Sequence, residues 1–263
     1  MIAVTPDGQR YLAMASGQRI ARPFHLRWLI PKVCGKSPTN WRAVQYASLL
    51  GLLPAAVWYG GFGWRGLFVA LFIVGCSGVW KFNWRWPVLV DAPAMLLALT
   101  AAASAKHGIW PLAVVLALAC GCVKETSPIF ASLWAWSPVL LIGLVSPTLR
   151  ALWRAGDDVL DEENAWILEH PIRASVKYHK GIPTWAWVLP WGAGVVALAN
   201  GSPQLWATLL VAYAQCLVAT DSIRLYQWGF PVVAVAAAGA VPLAWLPVLL
   251  AVHLVNPFAG EGG

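Results

Sequence analysis

Residues 87–126 constrain this chain more than any other stretch. They form two apolar runs that turn around Lys106-His107-Gly108, with Asp91 near the start and Lys124-Glu125 at the end. Asp91 lies 16 residues before His107, and Lys124 lies 17 after it. At about 1.5 Å of rise per helical residue, two antiparallel helices of that length bring Asp91 and Lys124-Glu125 back to one height, roughly 24 Å from the turn. One end of the hairpin therefore gathers three ionisable groups among apolar helices. Such groups are costly at the ends of membrane helices unless they partner one another or line a cavity, so this end is where function is sought first.

The rest of the chain has the same character. It is 59% hydrophobic and 11% charged, whereas about a quarter of residues are charged in soluble domains. The apolar runs stay unbroken for about 16–20 residues and lack the alternation of a membrane barrel strand. The expected fold class is all-α: a polytopic membrane helical bundle of about seven to nine membrane helices. Residues 1–42 form an interfacial segment, and residues 43–263 form one transmembrane helical domain with a polar loop at about 148–183. The expected location is the cytoplasmic (inner) membrane, as a multipass protein.

A formal net charge of +7 is small for a nucleic-acid binder of this length, and no nucleic-acid partner is expected. Most of the charge lies in the first 42 residues, where Arg10, Arg19, Arg22, Arg27, Lys32, Lys36 and Arg42 face Asp7 alone. The segment reads equally well as a cytoplasmic anchor obeying the positive-inside tendency and as a surface holding phosphate groups of lipid or substrate. Five cysteines, an odd number mostly inside apolar runs, give neither a disulfide framework nor a zinc site. Tryptophans such as Trp58, Trp64, Trp80, Trp84, Trp86 and Trp110 sit near run ends, as in an interfacial belt.

Residues 1–42 contain no long apolar run and do not resemble a cleavable signal peptide. Runs 43–60 and 65–80 make a first hairpin around Gly60-Gly61-Phe62-Gly63, which returns the N-terminal segment and residues 81–86 to one face. Asp7, Arg22, Arg27, Asp91, Lys124 and Glu125 then share a single side. Residues 128–146 carry Pro128 and Pro138 and are followed by Pro147; they cross once or bend back. The acidic patch Asp157, Asp158, Asp161, Glu162 and Glu163 reads as a solvated helix face, and Glu169, His170 and His179 form a metal-ligand set of undiagnostic spacing. Further crossings are expected at 184–199 and 203–219. Asp221 and Arg224 stand three apart on one side of a helical turn, and prolines at 231, 242 and 247 cut the last run, 228–255.

Four pieces in order resemble a known class. PDGQRYLAMASG followed by PFHLRWLIP resembles the first outer loop of bacterial GT-C class integral membrane glycosyltransferases, where an Asp precedes an amphipathic helix and an Arg-containing, Pro-flanked segment. VDAPAMLLALTAAA and KETSP are similar to their small-residue helix and Lys-Glu-Thr step, and ATDSIRLYQWGFPVV to their late Asp-x-x-Arg motif. In that class a membrane helix stands ahead of the loop Asp, whereas Asp7 follows Met1 by six residues, so the likeness is to a reduced form.

The resemblance implies transfer of a sugar from a polyprenyl-phosphate-linked donor to a glycan, lipid or protein acceptor at the outer membrane face. Asp7 would be the general base, or would help to hold a divalent metal. Arg22, Arg27 and Lys124 would bind the leaving phosphate, Asp91 and Glu125 would orient these cations or bind sugar hydroxyls, and Arg10, Asp221 and Arg224 would complete the substrate-binding set. A competing expectation is a non-catalytic polytopic membrane protein, a lipid or glycan carrier or an assembly partner, in which the charged face is a passage or docking surface beside membrane lipid.

Overall fold

A computed structural model of the chain describes residues 4–20, 23–153, 162–217, 219 and 223–256. Among them there is no strand, and the regular elements are all helical, as expected. It divides into two compact units, residues 1–52 with 83–165 and residues 53–82 with 166–263.

The first unit begins with α1 (Pro6–Ala15). Thr5 caps it by accepting from the Gly8 N–H at 3.1 Å, and Pro6 and Asp7 occupy its first turn, where a missing N–H is harmless and a negative charge is favoured. A short 3-10 turn at Phe24–Leu26 leads into α2 (Leu29–Cys34), and α3 (Pro38–Gly60) contributes its residues up to Leu52. The second unit takes the remainder of α3 and then α4 (Trp64–Gly75). The chain re-enters the first unit within α5 (Lys81–Arg85), where Gln45 donates to Asn83 Oδ1 at 2.8 Å.

At the centre of this unit lies the predicted hairpin, α6 (Asp91–Lys106) and α7 (Trp110–Val123). Its turn closes through a left-handed Gly108 (φ 76°), with the Ile109 N–H donating to the Ser104 carbonyl at 2.8 Å. One side of α6 is lined by alanine, with Ala94, Ala98, Ala101 and Ala102 fully buried, so neighbouring backbones approach closely.

After α7, α8 (Ser127–Ala135) stops at Trp136, which is left-handed (φ 53°), and a 3-10 stretch at Pro138–Leu144 precedes α9 (Val145–Trp153). The chain doubles back here. A methyl group at Gly143 would lie 2.8 Å from Pro128 Cβ and 2.3 Å from the Ala117 carbonyl oxygen. The 138–144 stretch thus packs against α7 and α8. Gly143→Ala is expected to lower the stability of this unit by about 1–3 kcal/mol, read from thermal unfolding, because the group it strikes is backbone and cannot rotate away.

In the second unit, α10 (Glu162–Glu169), which begins in the first, is cut from α11 (Pro171–His179) by the pre-proline residue His170. Two 3-10 stretches follow, at Thr184–Trp187 and Leu189–Asn200, then α12 (Pro203–Ala214), α13 (Ile223–Tyr226), α14 (Phe230–Ala240) and α15 (Leu246–Leu254). Helices α4, α14 and α15 and the 189–200 stretch pack on one another. His253 is fully buried at their centre, stacked at 3.8 Å on Phe72 and hydrogen-bonded to the Phe72 carbonyl at 2.9 Å.

Among the described residues no single helix is long and apolar enough to cross a membrane. One pair, Ile223–Ala240 and Leu243–Leu254, has the required length and hydropathy together and is bent by 120° at its break. Three of the expected apolar runs are broken: 128–146 at Trp136-Ser137-Pro138, 184–199 at Gly192 and 228–255 at Val241-Pro242.

Candidate functional site

The charged residues at the open end of the α6–α7 hairpin come together as the helix count requires. Asp91 stands in the first turn of α6 and Lys124 caps the C-terminus of α7, each at the helix end whose dipole favours its charge. Their side chains form an ion pair and are 5% and 6% exposed. Ser127 donates its hydroxyl to the carbonyls of Cys120 and Lys124, fixing the turn that presents Lys124 and Glu125.

One residue further on, Glu125 meets Arg27. The guanidinium engages both carboxylate oxygens, Nε to Oε2 at 2.7 Å and Nη2 to Oε1 at 2.6 Å, in the planar fork geometry that lysine cannot provide. Its remaining nitrogen, Nη1, donates to the Tyr11 hydroxyl at 2.9 Å. Tyr11 is 1% exposed, packs edge-on against Phe24 and stacks near Trp41, whose indole N–H is held by the Gly35 carbonyl. Helix α1 therefore hangs from the hairpin by an aromatic side chain and one arginine.

This arrangement decides the ionisation of the pair. Burial would raise the Glu125 carboxyl, but the charge of Arg27, its hydrogen bonds and then Lys124 outweigh burial and hold it below the ordinary carboxylate range. Burial pulls the Arg27 guanidinium down, and Glu125 and Tyr11 more than reverse this. Tyr11 is raised, chiefly by burial, against the nearby Arg27 charge; Asp91 and Asp7 add to the rise, which puts both carboxylates within electrostatic reach of its hydroxyl.

A carboxyl held down in the folded state adds stability that is complete above its unfolded value of about 4.3 and fades as pH falls through the folded one. Wild type is thus expected to lose stability on acidification below about pH 4.3 more steeply than Glu125→Gln, checked by denaturant titrations between about pH 3 and pH 7.

Asp7 lies at the rim of this cluster. It pairs with Arg10 at 3.3 Å one helical turn on, their side chains 28% and 39% exposed, and the Arg10 guanidinium sits 4.7 Å over the Phe24 ring. Asp7 and Arg10 are the most accessible charges of the group, while Arg27, Glu125, Asp91 and Lys124 are mostly buried.

Other expected site residues fare differently. Arg22 and Asp221 lie outside the described residues, as do Asp157, Asp158 and Asp161. Arg224 belongs to the second unit, buried with its guanidinium 4.9 Å over the Phe82 ring. Glu169, His170 and His179 do not converge. His170 stacks on Trp166, His179 Nε2 turns to the Cys216 and Ala219 carbonyls, and no metal-binding group of His, Cys, Asp and Glu occurs among the described residues.

The residue that sequence reasoning passed over is Tyr11. It stands four residues after Asp7, on the same helix face, and that spacing was the available signal. Comparison with protein-family models, with curated proteins and with solved structures gives no match for this chain.

Proposed function

We propose that this chain is a polytopic membrane glycosyltransferase that moves a sugar from a polyprenyl-phosphate carrier to an acceptor at the outer membrane face. The observation that carries the reading is the gathering of Asp7, Arg10, Tyr11, Arg27, Asp91, Lys124 and Glu125 around one end of the α6–α7 hairpin, with the N-terminal carboxylate at its accessible rim. Transfer to a hydroxyl needs a carboxylate within hydrogen-bond reach of the acceptor and a cation beside the leaving phosphate.

The burial pattern divides these tasks. Asp7 is the base, and Arg10, the most exposed cation of the group, meets the phosphate. Arg27 and Lys124 are mostly buried in their carboxylate pairs, so they position the site by holding α1 and the K-E-T turn against the hairpin. In this reading the broken apolar helices lie in the membrane.

The matched ion pairs also favour a second reading, a non-catalytic membrane protein in which the same cluster only closes the end of the bundle. Sugar transfer from a polyprenyl-phosphate donor separates the two. Transfer by wild type that is lost in Asp7→Asn supports the first, and transfer that persists in Asp7→Asn removes it.

A further inference from the structure

A second polar site lies in the other unit, independent of the transferase reading. Where α3 ends and α4 begins, a cavity of about 300 Å³ is lined by Arg65, Asn200, Ser202 and Gln204 over a floor of Val69, Val232, Val235 and Ala236. Arg65, Asn200 and Gly239 are exposed at its mouth, while Val69, Val232 and Ala236 are buried below.

Arg65 differs from Arg10 and Arg27 of the first unit. Arg10 and Arg27 each face a carboxylate, whereas no ion pair or hydrogen bond engages the Arg65 side chain among the described residues. The cavity lining contains no Asp or Glu, and the described part of this unit has one carboxylate side chain, Glu169. The other polar groups are donors or adaptable. Ser202 Oγ accepts from the Leu205 N–H at 3.2 Å, which leaves its O–H to donate, and the Asn200 amide, which reaches the Ala236 carbonyl at 3.4 Å, has a second N–H.

We infer that the cavity formed by Arg65, Asn200, Ser202 and Gln204 binds a phosphate group. A guanidinium fork with amide and hydroxyl donors around it matches the oxygens of a phosphate, and the absence of acid from the lining leaves nothing to repel one. A volume at the lower end of ligand-pocket sizes takes the phosphate and the first atoms it is esterified to, which rest on the valine and alanine floor. Phe62 and Trp64, 79% and 71% exposed beside Arg65, supply the aromatic neighbours typical of a membrane interface. The phosphate thus comes from a lipid headgroup or from free phosphate, and the test separates these sources.

The full chain, purified in a phosphate-free maltoside detergent, is titrated calorimetrically with inorganic phosphate, with dihexanoyl phosphatidylglycerol and with dihexanoylglycerol. The variants are Arg65→Gln and Gly239→Leu, the latter chosen because Gly239 lines the cavity and a Cβ there meets only the Asn200 amide, at 3.3 Å. Gln204→Ala replaces Gly239→Leu if the leucine lowers the thermal midpoint. Binding of phosphate, or of phosphatidylglycerol alone, with a loss of about tenfold or more in both variants is the expected result and identifies free phosphate or a headgroup respectively. Binding of neither, binding unchanged in either variant, or equal binding of dihexanoylglycerol overturns the inference.

Discussion

Asp91→Asn is expected to destabilise the first unit by about 3–5 kcal/mol, because it removes the carboxylate from a buried ion pair with Lys124. The pair is the most enclosed in the described structure, with side chains 5% and 6% exposed, so water cannot replace the lost carboxylate as it would at a surface. The double variant Asp91→Leu, Lys124→Met is expected to be about as stable as wild type, or more so, since it removes both desolvation costs and keeps the volume. Denaturant unfolding of the two variants, followed by circular dichroism, checks this. A single variant as stable as wild type would show that Lys124 finds another partner and that the pair does not close the hairpin. The contrast also bears on function. A pair whose replacement by apolar residues leaves stability intact but moves the K-E-T turn would alter activity through Glu125 and Arg27 rather than through the fold.

How much of this was legible beforehand differs between the two ends of the chain. The α6–α7 hairpin follows from two apolar runs of matched length and a glycine at the turn, and equal length forces Asp91 and Lys124 to one level; both are read from spacing alone. The link from α1 to that end is not. Arg27 reaches Glu125 across 98 residues, and only the packed position of α1 and the 3-10 turn at Phe24–Leu26 brings it there. Helical spacing also does not show where an apolar run folds back on its neighbours. At 128–146 the outcome rests on Trp136 adopting a left-handed conformation and on Gly143 fitting against the Ala117 carbonyl, two local events that hydropathy does not register. The cavity at Arg65 was missed because its lining comes from residues 60–69, 200–204 and 232–239, far apart in sequence and individually unremarked.

Asp7→Asn is expected to reduce sugar transfer by about 10²–10⁴-fold while leaving the thermal midpoint nearly unchanged. The two halves of this expectation rest on different properties of one residue. As a base, Asp7 must accept the acceptor's proton as the hydroxyl attacks the anomeric carbon, and an amide of the same shape cannot. Its ion pair with Arg10 is partly exposed, 28% and 39%, and such pairs are worth about 0–1 kcal/mol. Thr5, not Asp7, caps α1, so the helix start survives the substitution. The Arg27–Glu125 contact likewise does not involve Asp7 and still seats α1 in the variant. A loss of transfer at constant stability therefore reports chemistry at the rim of the cluster. Equal loss in Glu125→Gln would carry no such meaning, because that change also releases Arg27 and Tyr11. If Asp7→Asn transfers sugar at the wild-type rate, the accessible carboxylate is not the base. No other carboxylate around the hairpin end can then take the role without breaking a buried ion pair.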